Sequence, residues 1–329
     1  MSRVSRIPTV LGSVAPEDLG PTLMHEHLFV LSPEYVRDYG VGAWWDEEER
    51  VEDAARKLRE LAARGIRTLV DQTVQGIGRD IRLIRRVAER VPELNIVVTT
   101  GLYTFDAVPQ HYAFRGPGLL LDQPDPMIAD FTKDITDQIA DSGVRAALLK
   151  CCVEAPGLVP GVERVARAVA AVHRETGAPI SVHTDSGSRA GLPALDLFAK
   201  ESVDLSRVLI GHAGDSTDLD YLMELADRGA TLGMDRFGLS LFGGTEERAA
   251  TVAALAARGY ADRMVLSHDA HCFPDYLAPD PDAVKARGLP EWNFTHLSDT
   301  VLPRLRELGV GEADIQRMLV DNPRRFLAG

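Results

Sequence analysis

The 329-residue chain carries 36 Lys and Arg against 49 Asp and Glu, a formal net charge of −13, with 45% hydrophobic and 26% charged residues. This composition excludes a mainly disordered chain, and the acidic balance excludes the clustered basic surface that nucleic acid requires. No apolar run approaches the roughly 18 residues of a membrane span.

Arg3 and Arg6 are not followed by an uninterrupted apolar stretch, so no signal peptide is expected. Three cysteines, Cys151, Cys152 and Cys272, are too few for a disulfide framework, and the adjacent pair bridges only with strain. A reduced, cytoplasmic protein is expected.

In chain order, the first apolar run is Thr22–Phe29. Val51, Ala54, Ala55, Leu58, Leu61 and Ala62 then follow i, i+3, i+4, i+7 spacing, which predicts a helix with one apolar face. Short apolar runs follow at 67–71, 95–101, 145–150, 179–183, 207–212, 231–235 and 263–269. Gly65, Gly143, Gly177, Gly229 and Gly259 stand just before five of them, where a left-handed residue ends a helix and lets a strand begin. About eight strands alternating with helices mean a parallel sheet, and that number closes most naturally into a (β/α)8 TIM barrel. An open doubly wound sheet competes, but Met24-His25-Glu26-His27-Leu28 offers no Gly-rich fingerprint after the first strand. The Pro-rich segment 278–290 is read as a long loop, and residues 1–329 as a single domain.

In a barrel, chemistry collects at the C-terminal ends of strands. Here those ends carry His25, His27, Asp71, Lys150, His183, His212, Asp235 and Asp269. His25 and His27 stand at i and i+2 of a strand, so both imidazoles face the same side and can reach one metal ion. His183 and His212 each end a run that is otherwise apolar. Four histidines converging on one rim point to metal, and Asp269 adds a carboxylate ligand and proton acceptor. Lys150 has no acceptor when protonated and cannot then ligate metal. Its chemistry leaves three readings: a base of shifted pKa, a side chain pointing elsewhere, or a modified ligand.

Among the other histidines, His173 lies in the helical pattern 165–176 and is expected to face solvent. His268 should point to the opposite side of its strand from Asp269. His111, His271 and His296 lie in or near loops and could touch substrate, but surface roles are expected for each; Cys151 and Cys152 are expected to be buried as small apolar residues.

This ordered set resembles the phosphotriesterase branch of the amidohydrolase superfamily. It comprises His25-x-His27 after Met24, Leu148-Leu149-Lys150-Cys151, Ser181-Val182-His183-Thr184, Ile210-Gly211-His212 and Ser267-x-Asp269, and runs on to Asn322-Pro323-Arg324-Arg325-Phe326. The resemblance implies two divalent ions, zinc foremost, with cobalt, iron or manganese as alternatives. It implies that His25, His27 and Asp269 hold the buried ion, and His183 and His212 the more exposed one. Lys150, carboxylated by carbon dioxide, would bridge both, and a hydroxide would complete the centre.

Within that branch, Gly101-Leu102-Tyr103 and Met234-Asp235-Arg236-Phe237-Gly238 look like the lactonases, with Tyr103 and Arg236 as substrate residues. The expected function is hydrolysis of N-acyl homoserine lactones or related lactones, with promiscuous phosphotriesterase activity. A dedicated phosphotriesterase or a carboxylesterase is the alternative, and a non-catalytic metal-binding barrel the remaining one. A small-molecule lactone or ester partner and a homodimer are expected. The long aromatic segment 271–294 suits an acyl-chain channel.

Overall fold

A computed structural model describes residues 6–40 and 45–329, so Arg3 lies outside the described residues. Two short strands, β1 (Ile7–Thr9) and β2 (Gly12–Val14), form an antiparallel hairpin. The main sheet then uses β3 (Thr22–Val30), β4 (Thr68–Asp71), β5 (Asn95–Gly101), β6 (Leu148–Val153), β7 (Ile180–Thr184), β8 (Val208–Gly211), β9 (Thr231–Met234), β10 (Met264–Leu266) and β11 (His271–Pro274). All neighbours pair in parallel, in the order β10-β9-β8-β7-β6-β5-β4-β3-β11.

The two edge strands, β10 and β11, belong to one continuous pass of chain. β10 bonds β9, and β11 bonds β3 with His271 opposite His27. Between them the Asp269 amide donates to the His25 carbonyl (3.0 Å) and the His27 amide donates to the Ala270 carbonyl (2.9 Å). The sheet therefore curls round until its last pass meets its first, giving the barrel-like α/β architecture that strand–helix alternation predicts. Nine strands appear where about eight runs are predicted, because the final pass breaks at 267–270. The run predicted at 145–150 begins later and continues to Val153, since Cys151, Cys152 and Val153 keep pairing with Val182, His183 and Thr184.

Side chains alternate between two apolar layers. Met24, Val70, Val97, Leu148, Leu209 and Val265 point inward and pack with Ile7, Leu19, Phe326 and Leu327, so the hairpin and the C-terminal helix (Asn322–Ala328) close the bottom. The outward residues, such as Leu69, Val98, Leu149, Val182 and Ile210, pack beneath the helices. The predicted stripe from Val51 to Ala62 is fully buried on helix Glu47–Ala63, whose start is capped by Asp46. With the bottom filled, polar inward residues collect at the opposite end.

Three expectations are corrected. The segment 278–290 is not merely a loop: it contains a helix, Pro281–Gly288, capped by Asp280 and begun by proline, and it follows the extra strand β11. His173 does not face solvent. It is fully buried because its Nδ1 reaches the Ala178 carbonyl (2.8 Å) just beyond the helix end. His296 is not a surface residue, and His271 is half-buried in the cavity wall rather than free on the surface. His271 packs its ring against His27 and Trp292, while His296 is buried against Thr245 Oγ1 (2.8 Å). His111 is exposed, and Cys151, Cys152 and Cys272 are buried and free.

Candidate metal centre

The open end of the sheet brings together His25, His27, Lys150, His183, His212 and Asp269, all buried. Lys150 Nζ lies 3.1 Å from His25 Nε2. Asp269 Oδ1 lies 3.2 Å from His27 Nε2 and 3.6 Å from His25 Nε2, while its Oδ2 lies 3.9 Å from His212 Nε2. His212 Nε2 and His183 Nδ1 are 2.8 Å apart. His212 and Asp269 stand just past their strands with φ of +62° and +53°. Left-handed backbone is unfavourable for such residues, and its presence at two positions of one cluster marks a site held by its surroundings. Gly101 has a related role: a Cβ there would meet the Lys150 carbonyl oxygen at 1.9 Å, so only glycine lets β5 pass close beside Lys150.

The outer nitrogens of the rings are spoken for. Asp235, fully buried, accepts from His25 Nδ1 through Oδ2 (2.9 Å) and from His212 Nδ1 and the His212 amide through Oδ1 (3.0 and 2.9 Å). Glu154 Oε1 faces His183 Nε2 at 2.6 Å. His27 Nδ1 faces Thr73 Oγ1 at 2.8 Å. An ionised carboxylate only accepts, so the rings of His25, His212 and His183 place their proton on the outer nitrogen and their lone pair on the inner one, while the Thr73 hydroxyl can pair with either tautomer of His27. Two unprotonated nitrogens, His183 Nδ1 and His212 Nε2, then face one another at 2.8 Å. Such a pair is repulsive until a cation lies between, and that is the observation that suits a metal. His25, His27 and Asp269 offer a second convergent set, with ligand atoms within 4.8 Å of one another. His25, His212 and Asp235 also lie that close. Since Asp235 takes the two outer nitrogens, we read it as the group that orients both rings.

The electrostatics agree. Burial lowers the pKa of His27, His183 (to about 4) and His212, so these rings are neutral near pH 7. Burial opposes ionisation of Asp269, but His25, His212, His27 and Arg236 outweigh it and hold the carboxyl well below its ordinary range. Burial also lowers the pKa of Lys150, working against Cys152 and the carboxylates Asp269, Asp235 and Asp71. The amine is thereby biased towards its neutral form.

A cavity of about 520 Å³ opens over the cluster, walled by Leu31, Ile77, Leu239, Leu241, Phe242, Leu277 and Trp292. Tyr103 lies in its wall with its ring edge-on to His183 (5.1 Å), and burial pushes its phenol above the usual range, keeping it a donor. Arg236 Nε donates to Asp269 Oδ2 (3.0 Å), Nη1 to Asp215 Oδ2 (2.8 Å), and the guanidinium lies 4.6 Å over Phe242. Trp292 Nε1 donates to the Asp269 carbonyl (3.0 Å).

The predicted residues thus share one rim. Sequence reasoning gave no role to Glu154 or Asp215, placed Trp292 only within the aromatic segment 271–294, and noted Asp235 only as a strand end. Of these only Asp235, one residue before Arg236, carried a positional signal. His268 points away, as expected, onto buried Glu26 (2.7 Å). Cys152 carries no nucleophile, since burial pushes its thiol up to about 12.

A family model described as the phosphotriesterase family matches residues 5–327. The chain is 50% identical over 318 residues to a phosphotriesterase homology protein of Mycobacterium tuberculosis, covering 97% of this chain and 96% of that one. It is 34% identical over 328 residues to an aryldialkylphosphatase of Saccharolobus solfataricus, covering 98% and 100%. The solved structure of the phosphotriesterase from Mycobacterium tuberculosis superposes with a TM-score of 0.94 at 49% identity, covering 98% of each chain.

Proposed function

The chain belongs to the phosphotriesterase family of hydrolases, and from that premise we propose that it opens lactones, N-acyl homoserine lactones or their relatives, at a centre of two divalent ions. His25, His27 and Asp269 would hold one ion, His183 and His212 the other, and carboxylated Lys150 would bridge them, with zinc foremost. Bound there, the ions would supply an activated water and polarise the scissile carbonyl or phosphoryl oxygen.

The protein's own groups do the rest. Asp235 and Glu154 fix the rings of His25, His212 and His183 so that their lone pairs converge, and Thr73 holds the ring of His27 in place. Asp269 has an oxygen towards each histidine set and accepts the proton released as water attacks. Arg236 keeps that carboxylate ionised and turned inward. Tyr103 faces the mouth of the cavity with a phenol that stays protonated, a donor for the ring oxygen as it leaves. Leu31, Ile77, Leu241, Leu277 and Trp292 exclude water and offer an apolar wall to an acyl chain.

The single observation that carries the lactone reading is the juxtaposition of Tyr103 and Arg236 with this apolar cavity, rather than the ligand set alone. The ligand set serves a triester equally well. Purified protein assayed on lactones of increasing chain length and on a chromogenic phosphotriester tests it. Lactone turnover rising with chain length supports the reading, and efficient triester turnover with inert lactones overturns it.

We extend the proposal to one domain over residues 1–329 and to a cytoplasmic homodimer. Among the described residues no helix is long and apolar enough to cross a membrane. The short helix Pro33–Tyr39 presents Tyr35 and Tyr39, 57% and 78% exposed, a surface suited to a second copy.

A further inference from the structure

Behind Arg236 lies a second guanidinium, Arg248, on helix Thr245–Ala256, only 2% exposed. Its Nη2 donates to Asp215 Oδ1 (2.5 Å), the carboxylate whose other oxygen holds Arg236. Its Nη1 donates to the carbonyls of Leu239 (3.0 Å) and Gly243. Those carbonyls bracket the segment 239–243, whose Leu239, Leu241 and Phe242 wall the cavity. Leu239 is buried, but Leu241 and Phe242 are 70% and 52% exposed, so packing anchors only the start of this segment. Arg248 Nε is buried with no partner among the described residues. An unpaired buried donor is unfavourable, so the guanidinium is retained there for what its Nη atoms hold.

We propose that Arg248 is a positioning residue that locks the catalytic carboxylate and the substrate wall into one arrangement. The chain of contacts runs Arg248–Asp215–Arg236–Asp269 in one direction and Arg248 to the 239–243 carbonyls in the other. The stacking of Arg236 on Phe242 joins the two branches. Only a planar fork can serve both, since it presents several donors in fixed directions, whereas an ammonium is a point charge. Chain-length selectivity and turnover are therefore coupled through a residue that touches no substrate.

This inference rests on the hydrolase reading of the cavity, and its test compares variant with wild type so that the two fail separately. Arg248→Met and Arg248→Lys are assayed on a short-chain and a long-chain lactone. If lactones are inert, the same ratios are read on short-chain and long-chain chromogenic esters. Melting temperature and metal content serve as controls. In Arg248→Met, kcat falls about tenfold on both substrates, and KM rises about tenfold for the long chain alone. Arg248→Lys restores kcat through Asp215 but leaves the long-chain KM raised. Limited proteolysis of metal-free protein reads the segment without turnover: cleavage within 239–243 accelerates about tenfold in Arg248→Met. Equal KM changes on both chain lengths, identical behaviour of the Met and Lys variants, or unchanged proteolysis would each overturn the proposal.

Discussion

Asp235 Oδ2 lies 2.9 Å from His25 Nδ1, across 210 residues of sequence, and its other oxygen lies 3.0 Å from His212 Nδ1. One buried carboxylate thus sets the tautomer of a ring from each proposed metal site. Asparagine can accept from only one ring and turns an N–H towards the other. Asp235→Asn should weaken metal binding by about 10- to 100-fold. Metal content after dialysis against a buffered metal series measures this. Undiminished content at every concentration would exclude the orienting role.

Metal-free protein should lose stability on acidification. Burial, with Arg236 and Lys150 beside it and Glu154 opposing, sets His183 to about 4 against 6.5 for the unfolded chain. Between those values the unfolded chain binds a proton that the folded chain refuses, so stability rises with pH. This contribution is complete above about pH 6.5 and is lost as pH falls towards 4. It amounts to roughly 3 kcal/mol for one such ring. Melting temperatures of chelated protein should fall through that window, and less steeply in His183→Asn. A flat profile would contradict the assignment.

Gly101→Ala should be among the most damaging single-methyl changes in the barrel. Its Cβ would meet the Lys150 carbonyl oxygen at 1.9 Å, and its φ is +138°. Backbone cannot yield as a flexible side chain can, so about 3 kcal/mol or more is expected. Urea unfolding measures it. A change under about 1 kcal/mol would show that β5 and β6 can separate without loss.

Lys150→Ala should abolish turnover, and a short carboxylic acid should restore part of it by standing in for the bridging carbamate. Lys150 is 1% exposed, with Nζ 3.1 Å from His25 Nε2, so the vacated space can admit a small carboxylate. Metal content is followed in parallel. Bound metal without rescue would argue against carboxylation.

The candidate cluster was legible because strands alternate and because several histidines end runs that are otherwise apolar. Local pattern singled out His25, His27, His183, His212, Lys150 and Asp269 as strand ends, but left the role of Lys150 open. Asp235 and Glu154 were not legible as orienting groups, since their partners lie 210 and 29 residues away. His271 reads as a loop residue until β11 is seen to pair with β3. His173 reads as a surface residue because the carbonyl that buries it, Ala178, lies beyond the helix. The helix at 281–288 did leave a signal, Asp280-Pro281 as cap and first residue, which the surrounding prolines obscured.

The most direct test titrates chelated protein with zinc while metal content and lactone turnover are followed on the same sample. Turnover should be absent without metal and reach its plateau at about two ions per chain. Full lactone turnover by metal-free protein, or metal-loaded protein inert on every lactone, would contradict the proposed function.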